Sequence, residues 1–202
     1  MSDSPIKPEW RVIATSPPEL SETHKIYALL ETELWPEWRI ELYKTTKEPQ
    51  YAMLFDGTRF SSISNGPVLI DISESAEMLQ RCCEVLTATP GGSVIVTSSK
   101  VGLQELLQSL RNSLIVLSNN NEAIFRFYDP RTMLPMLAAM TDDERAQMFA
   151  PVRQFIWHHK VWLTADIPHT AELKPSQPWE ITSTHIQHMQ SILQQWSRSF
   201  KQ

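Results

Sequence analysis

The segment from Phe125 to Arg131 places two arginines, one carboxylate and three aromatic rings close together in the chain. Asp129 followed by Pro130 is typical of the N-cap and first position of a helix, and its carboxylate lies within reach of Arg126 and Arg131. We predict a charge-assisted network where a strand passes into a helix. The pattern leaves open whether this network fixes the join between two lobes or binds a protein partner.

Seven tryptophans are many for this length, and tryptophan is common both in cores and at protein interfaces. Trp35 and Trp38 lie among glutamates in the first hundred residues, which are acidic because they contain 9 basic and 14 acidic residues. We expect this pair to lie nearest a partner surface, with core packing as the alternative. The candidate partner-binding residues are therefore Arg126, Asp129, Arg131, Trp35 and Trp38.

The usual signatures of catalysis and cofactor binding are missing from the sequence. Five scattered glycines form neither a phosphate-binding loop nor a dinucleotide fingerprint. His185 and His188 have a spacing that suits a metal, but no carboxylate or cysteine stands at a ligand spacing beside them. Cys82 and Cys83 fall on the apolar side of a predicted helix. We expect no catalytic, cofactor or metal site.

Composition describes an ordinary folded protein that does not bind polyanions. The chain has 202 residues, of which 42% are hydrophobic and 20% charged. Eighteen basic against 23 acidic residues give a net charge of −5, which disfavours nucleic acid and anionic membrane surfaces as partners. Residues 1–10 contain no apolar run, no stretch is long enough to span a membrane, and only two cysteines occur. We expect a cytoplasmic protein.

Strand and helix signals alternate in the first part of the chain. Apolar and β-branched runs predict strands, turn residues separate them, and apolar residues at helical spacing predict helices between them. Ser73 is the predicted cap of the second helix, and the three asparagines at 119–121 predict a hairpin. The predicted strands are 51–58, 66–72, 93–99, 113–118 and 122–129, and the predicted helices are 35–45, 74–89 and 101–111.

If 122–129 is a strand, Phe125 and Phe127 share one face while Arg126 and Tyr128 share the other. After Asp129 the spacing becomes helical and no further strand is expected. We predict helices over 131–140 and 142–158, which Pro135 and Pro151 bend or break, then an irregular connection over 164–180. A last amphipathic helix between 181 and 200 carries Ile186, Met189, Leu193, Trp196 and Phe200 on one stripe.

These elements predict a mixed α/β fold: a mixed sheet with flanking helices in an N-terminal lobe, residues 1–129, and a smaller helical lobe, residues 130–202. Periodicity alone leaves the run at 26–30 open between a strand and a helical turn.

Five segments appear in the order found in the adaptor chaperones of bacterial type VI secretion, a family whose domain was long catalogued as one of unknown function. They are Tyr27-Ala28-Leu29-Leu30, Leu54-Phe55-Asp56-Gly57-Thr58, Gly66-Pro67-Val68-Leu69, Phe125 to Arg131, and Phe149-Ala150-Pro151-Val152. Together they span residues 25–157. The chain departs from the family pattern at Glu31, where an aspartate is common, and at Pro135.

The resemblance implies that the run at 26–30 is a strand and that the protein is not an enzyme. It also implies a cytoplasmic chaperone that binds a secreted effector protein and promotes its loading onto the VgrG spike. Two alternatives from other classes remain: an immunity-type protein that inhibits a toxin, and a small α/β enzyme. Shifted pKa values in one pocket would indicate an enzyme, and neutralisation of a toxin would indicate an immunity protein.

Overall fold

A computed structural model describes residues 18–169 and 178–199 of the chain. In this part the chain forms nine strands and six α-helices, with one 3-10 turn at Thr32–Leu34. The strands are β1 (His24–Glu31), β2 (Tyr51–Met53), β3 (Pro67–Asp71), β4 (Gly92–Ser98), β5 (Ile115–Ser118), β6 (Asn121–Ile124), β7 (Val152–His159), β8 (Val161–Asp166) and β9 (Trp179–Ile181). The helices are α1 (Trp38–Thr45), α2 (Ala76–Ala88), α3 (Leu103–Asn112), α4 (Pro130–Ala139), α5 (Asp142–Phe149) and α6 (Ser183–Arg198).

Six strands form an antiparallel sheet in the order β2-β3-β1-β4-β7-β8. The strand at 26–30 is confirmed as β1, which lies inside the sheet with β3 on one side and β4 on the other. Successive side chains of a strand point to opposite faces, so an unbroken apolar run such as Ile26–Leu30 requires cover on both faces. The sheet has helices on both sides for this reason.

Two hydrophobic clusters fill the spaces above and below the sheet. Tyr27 and Leu29 of β1 belong to the cluster that packs against α3, α4 and the end of α5. Ile26 and Ala28, on the other face of the same strand, belong to the cluster that packs against α1 and α2. The mixed α/β fold predicted from the sequence is confirmed.

A second, three-stranded sheet has the order β6-β5-β9. The predicted hairpin is confirmed, because β5 and β6 pair antiparallel and Asn119 and Asn120 between them adopt positive φ angles of 51° and 60°. The hairpin is not part of the six-stranded sheet. Strand β9 pairs parallel to β5 on its other side and gives the hairpin a sheet of its own.

The expectation that no strand follows Asp129 is wrong. Helix α5 ends at Phe149, before Pro151, and residues 152–158 are not helical but form β7, which pairs with β4 and then with β8. The spacing of Val152, Phe155 and Ile156 resembles a helical face, but this stretch is a strand buried on both sides. Phe155 packs in the first cluster and Ile156 in the second. The C-terminal part therefore carries α4, α5 and α6 together with strands that complete both sheets, and its division from 1–129 stays a prediction.

The structure also tests three smaller expectations about individual residues. Ser75, not Ser73, caps α2 by accepting a hydrogen bond from the N–H of Met78, while Ser73 bonds to Asp71 and to the backbone of β1. Helix α4 continues across Pro135 instead of breaking there. In α6, Trp196 is buried but Ile186 and Leu193 are exposed. The predicted irregular connection over 164–180 is corrected at both ends, since residues 164–166 belong to β8 and residues 179–180 to β9. Residues 170–177 of this connection and Phe200 of the predicted stripe lie outside the described residues.

Candidate functional site

Asp129 is the N-cap residue of helix α4 and directly precedes its first helical position. Its backbone is extended, and its Oδ1 accepts a hydrogen bond from the backbone N–H of Arg131 at 2.9 Å. Pro130 occupies the first helical position, where a backbone N–H would have no hydrogen-bond partner within the helix. The predicted N-cap is confirmed, and it fixes the carboxylate at the point where the chain enters α4.

The same carboxylate holds the side chain of Arg131 in a two-pronged ion pair. Arg131 Nη2 donates to Oδ2 of Asp129 at 2.6 Å, and Nε donates to Oδ1 at 2.9 Å. The Asp129 side chain is 8% exposed, whereas that of Arg131 is 74% exposed. A buried carboxylate thus orients a guanidinium group that projects into solvent.

The ion pair keeps Asp129 ionised. Burial alone would raise the pKa of this carboxyl group, but the hydrogen bonds and charge of Arg131 outweigh burial and lower the pKa below its usual value. The pKa of Arg131 is raised by its hydrogen bonds to Asp129. Both groups are therefore charged at neutral pH.

Arg126 pairs with a carboxylate that the sequence analysis did not assign to the network. Its Nη2 donates to Oε1 of Glu31 at 2.9 Å, and its guanidinium carbon lies 5.6 Å from the centre of the Tyr128 ring. The expectation of one network around Asp129 is corrected to two neighbouring ion pairs. We call Glu31, Arg126, Tyr128, Asp129 and Arg131 the arginine corner.

Glu31 could have been found from one signal in the sequence. It stands directly after Tyr27–Leu30, where the family resemblance expects an aspartate, so a carboxylate is retained with one more methylene. Its partner Arg126 is 95 positions away in the chain, and no local pattern connects the two residues. Strand β1 places Glu31 at the end of the sheet on which the arginine corner lies.

The backbone before Asp129 is not the predicted strand. Strand β6 ends at Ile124, and a turn follows in which the N–H of Asp129 donates to the carbonyl of Arg126 at 3.0 Å. Phe127 and Tyr128 are therefore not on opposite faces, and both pack in the first hydrophobic cluster. Their burial holds the corner against the core while the arginines remain outside.

His159, at the end of β7, lies beside the corner and was not selected from the sequence. Burial lowers its pKa, as does the charge of Lys160, while Asp129 acts in the opposite direction. Its ring stacks on Trp196 of α6, with ring centres 5.7 Å apart. The corner is therefore built where β1, β7, α4 and α6 come together.

Trp35 and Trp38 are placed in the core, not at a surface. They are 4% and 5% exposed and pack in the second hydrophobic cluster. The indole of Trp35 donates to Oε1 of Glu41 at 3.2 Å, and the ring of Trp38 meets Tyr51 edge to face. The structure does not bring these tryptophans to the arginine corner, and they have little surface to offer a partner.

Among the candidate metal and thiol residues, His185 takes part in capping a helix and the two cysteines are shielded from solvent to different degrees. His185 belongs to the capping box of α6 and contacts Glu144 through Nε2 at 3.3 Å. Within residues 18–169 and 178–199 no group of three or more His, Cys, Asp or Glu side chains is arranged to hold a metal ion. Burial raises the pKa of Cys82, and it raises that of Cys83 to about 11, so both thiols resist ionisation.

None of the helices in the described part of the chain has the length and apolar character needed to cross a bilayer. No curated protein and no solved structure matches the sequence. One family model does match, over residues 26–147, and its description is "Domain of unknown function (DUF4123)". The match takes in β1, where Glu31 lies, and the start of α4, so it includes the whole arginine corner. Because it covers more than half of the 202 residues, the chain belongs to the DUF4123 family, which is associated with adaptors of type VI secretion effectors.

Proposed function

We propose that this protein is an adaptor chaperone that binds a secreted effector in the cytoplasm and promotes its loading onto the VgrG spike. Membership of the family supports a protein partner. The observation that carries the proposal is Arg131, an exposed guanidinium group held in one orientation by a buried carboxylate inside the matched region.

Such an arginine is suited to protein binding because part of the cost of association is already met. A long side chain loses rotamer freedom when it enters an interface, and this loss lowers affinity. Asp129 has fixed Nε and Nη2 of Arg131 before any partner arrives. Arginine is also among the residues that contribute most binding energy at interfaces. Trp35 and Trp38, being buried, have no part in the proposed contact.

The proposal includes no chemical reaction. The sequence contains no signature of a nucleotide, metal or acyl-transfer site, and the role proposed for the arginine corner is recognition. Turnover of a substrate by the purified protein, surviving stringent controls, would contradict this part of the proposal. So would a metal ion held by His185 and His188.

The decisive experiment is co-purification of the chain with the product of the adjacent gene and with VgrG. We expect a one-to-one complex with a larger effector. Deletion of the gene should lower effector abundance or delivery while the secretion machine continues to fire. If both quantities were unchanged, the adaptor function would be wrong. If the chain instead neutralised the toxicity of the adjacent gene's product and did not bind VgrG, it would be an immunity protein.

Replacement of Arg131 by alanine tests whether the corner contributes to binding. Since this side chain is mostly in solvent, we expect effector recovery in a pull-down to fall. Loss of the ion pair leaves the buried Asp129 carboxylate without its partner and should lower the melting temperature, so a thermal melt must show that the variant is folded at the temperature of the pull-down. Arg153→Ala is the matched control. Arg153 is exposed near the start of β7, whereas His159 beside the arginine corner is the last residue of that strand. Equal recovery with wild type and Arg131→Ala would remove the corner from the proposed interface.

A further inference from the structure

We infer that the arginine corner recognises an acidic segment of its protein partner, with carboxylate side chains binding to Arg126 and Arg131. This inference rests on the proposed adaptor function and names the chemistry of the partner at that site.

The first argument is the set of donors left open on Arg131. A guanidinium group has five N–H donors arranged along two edges that each match a carboxylate. Asp129 occupies the edge formed by Nε and Nη2. No acceptor in residues 18–169 or 178–199 is hydrogen-bonded to Nη1 of Arg131. Among the described residues nothing occupies the second edge, and it has the geometry to bind another carboxylate.

The second argument is that Arg126 offers a further cation beside Arg131. Its side chain is 49% exposed, and Glu31 and the Tyr128 ring hold it in place. The charges of Arg126 and Arg131 are balanced by Glu31 and Asp129, so these four side chains carry no net charge. In a chain of net charge −5 the corner is thus a place where an acidic group is not repelled.

The same charges favour carboxylates over phosphates. Glu31 and Asp129 already balance the charges of the two guanidinium groups, so a doubly charged phosphate would leave the corner with more uncompensated negative charge than a singly charged carboxylate would. A nucleic acid would also meet the acidic surface of the whole chain. A peptide with spaced carboxylates fits both restrictions.

Fluorescence anisotropy with the full chain tests the inference. The probe is a labelled peptide of alternating glutamate and serine, and the comparison is a peptide of equal length with glutamine in place of glutamate. We expect the glutamate peptide to bind about tenfold more tightly than the glutamine peptide. Its affinity should fall as salt is raised, because the contacts are at the surface.

Three variants locate the binding. Arg126→Gln and the double variant Asp129→Asn with Arg131→Gln should each weaken glutamate-peptide binding by about tenfold. The double variant removes both charges together, so no buried carboxylate is left unpaired, and a thermal melt confirms that it folds. Arg153→Gln, at the far end of β7, should bind as wild type does.

Equal binding of the two peptides, absence of glutamate-peptide binding, or an equal loss with Arg153→Gln would overturn the inference. The same variants in the co-purification assay separate this result from failure of the proposed function. If the corner variants lose the effector while the peptides show no preference, the adaptor function stands and the acidic chemistry is wrong. If the glutamate peptide binds as expected but neither effector nor VgrG co-purifies, the acidic chemistry stands and the adaptor function is wrong.

Discussion

The side chain of Asp129 has two roles. It caps α4 by accepting a hydrogen bond from the backbone N–H of Arg131, and it forms an ion pair with the guanidinium group of Arg131. Replacement by alanine removes both, and we expect the free energy of unfolding to fall by about 1 to 3 kcal/mol. Asparagine also caps helices well, so Asp129→Asn should lose less. Urea unfolding of the three proteins measures this. Equal stability of wild type and Asp129→Ala would show that the cap contributes nothing.

The lowered pKa of Asp129 makes part of this stability depend on pH. The unfolded chain has an ordinary aspartate, with a pKa of about 3.9, whereas the folded protein keeps the group ionised at lower pH. The contribution is therefore complete above the unfolded pKa and is lost as pH falls through the folded pKa. We expect the stability difference between wild type and Asp129→Asn to be largest near neutral pH and to shrink below about pH 4. Urea unfolding of both proteins at a series of pH values measures this difference. If the difference in unfolding free energy stayed the same from neutral pH to below about pH 4, the charge assigned to Asp129 would be wrong.

The sequence was sufficient to predict the parts of the site that are local. The Asp-Pro pair identified the cap, and the spacing of Asp129 and Arg131 identified their ion pair. The pairing of Arg126 with Glu31 could not be predicted, because it joins the end of β1 to a turn far along the chain. The burial of Trp35 and Trp38 could not be predicted either, since an indole is equally common in cores and interfaces.

Strand β7 is the element at which sequence and structure disagree most. Its apolar residues satisfy helical spacing, and only the requirement to cover β4 on its open side makes them a strand. Phe155 has 1% exposure and meets Phe149 edge to face, with ring centres 5.1 Å apart. Local periodicity cannot reveal a need that arises from a neighbouring strand.

Truncation of Phe155 measures how much β7 contributes to the fold. We expect Phe155→Ala to lower the free energy of unfolding by about 3 to 5 kcal/mol, because it leaves a cavity in the first hydrophobic cluster. Arg153→Ala, on the same strand but exposed, should change stability by less than about 0.5 kcal/mol. Chemical denaturation of both variants gives the comparison. A small and equal effect of the two changes would show that β7 is not integrated into the core.

At the scale of the whole molecule, the two clusters and the shared sheet connect the parts on either side of residue 129. Strands β4 and β7 pair across the predicted boundary, and Trp196 of α6 packs in the same cluster as Tyr27 of β1. Because the two parts share a sheet and a hydrophobic core, unfolding of either part would disrupt the sheet and the core of both. The fold class was predictable from alternating signals, but this return of the chain to its first sheet was not.

We expect the protein to unfold in one transition. Tryptophan fluorescence reports on both clusters, since Trp38 lies in one and Trp157 in the other, and far-ultraviolet circular dichroism reports on the backbone. The two signals should change at the same urea concentration, as two-state unfolding requires. Separate midpoints would instead support independent lobes at residues 1–129 and 130–202.

The late position of β7 in the chain also has a consequence for biosynthesis. Strand β4 spans Gly92–Ser98, but the strand that covers its second side spans Val152–His159. During translation, the run Val94-Ile95-Val96 therefore remains at an uncovered sheet edge until the residues of β7, which follow α5, have left the ribosome. An uncovered β-branched edge invites pairing with other chains. The nascent protein is thus most prone to aggregate just before its own β7 emerges, and a factor that shields emerging chains would act on it in that interval.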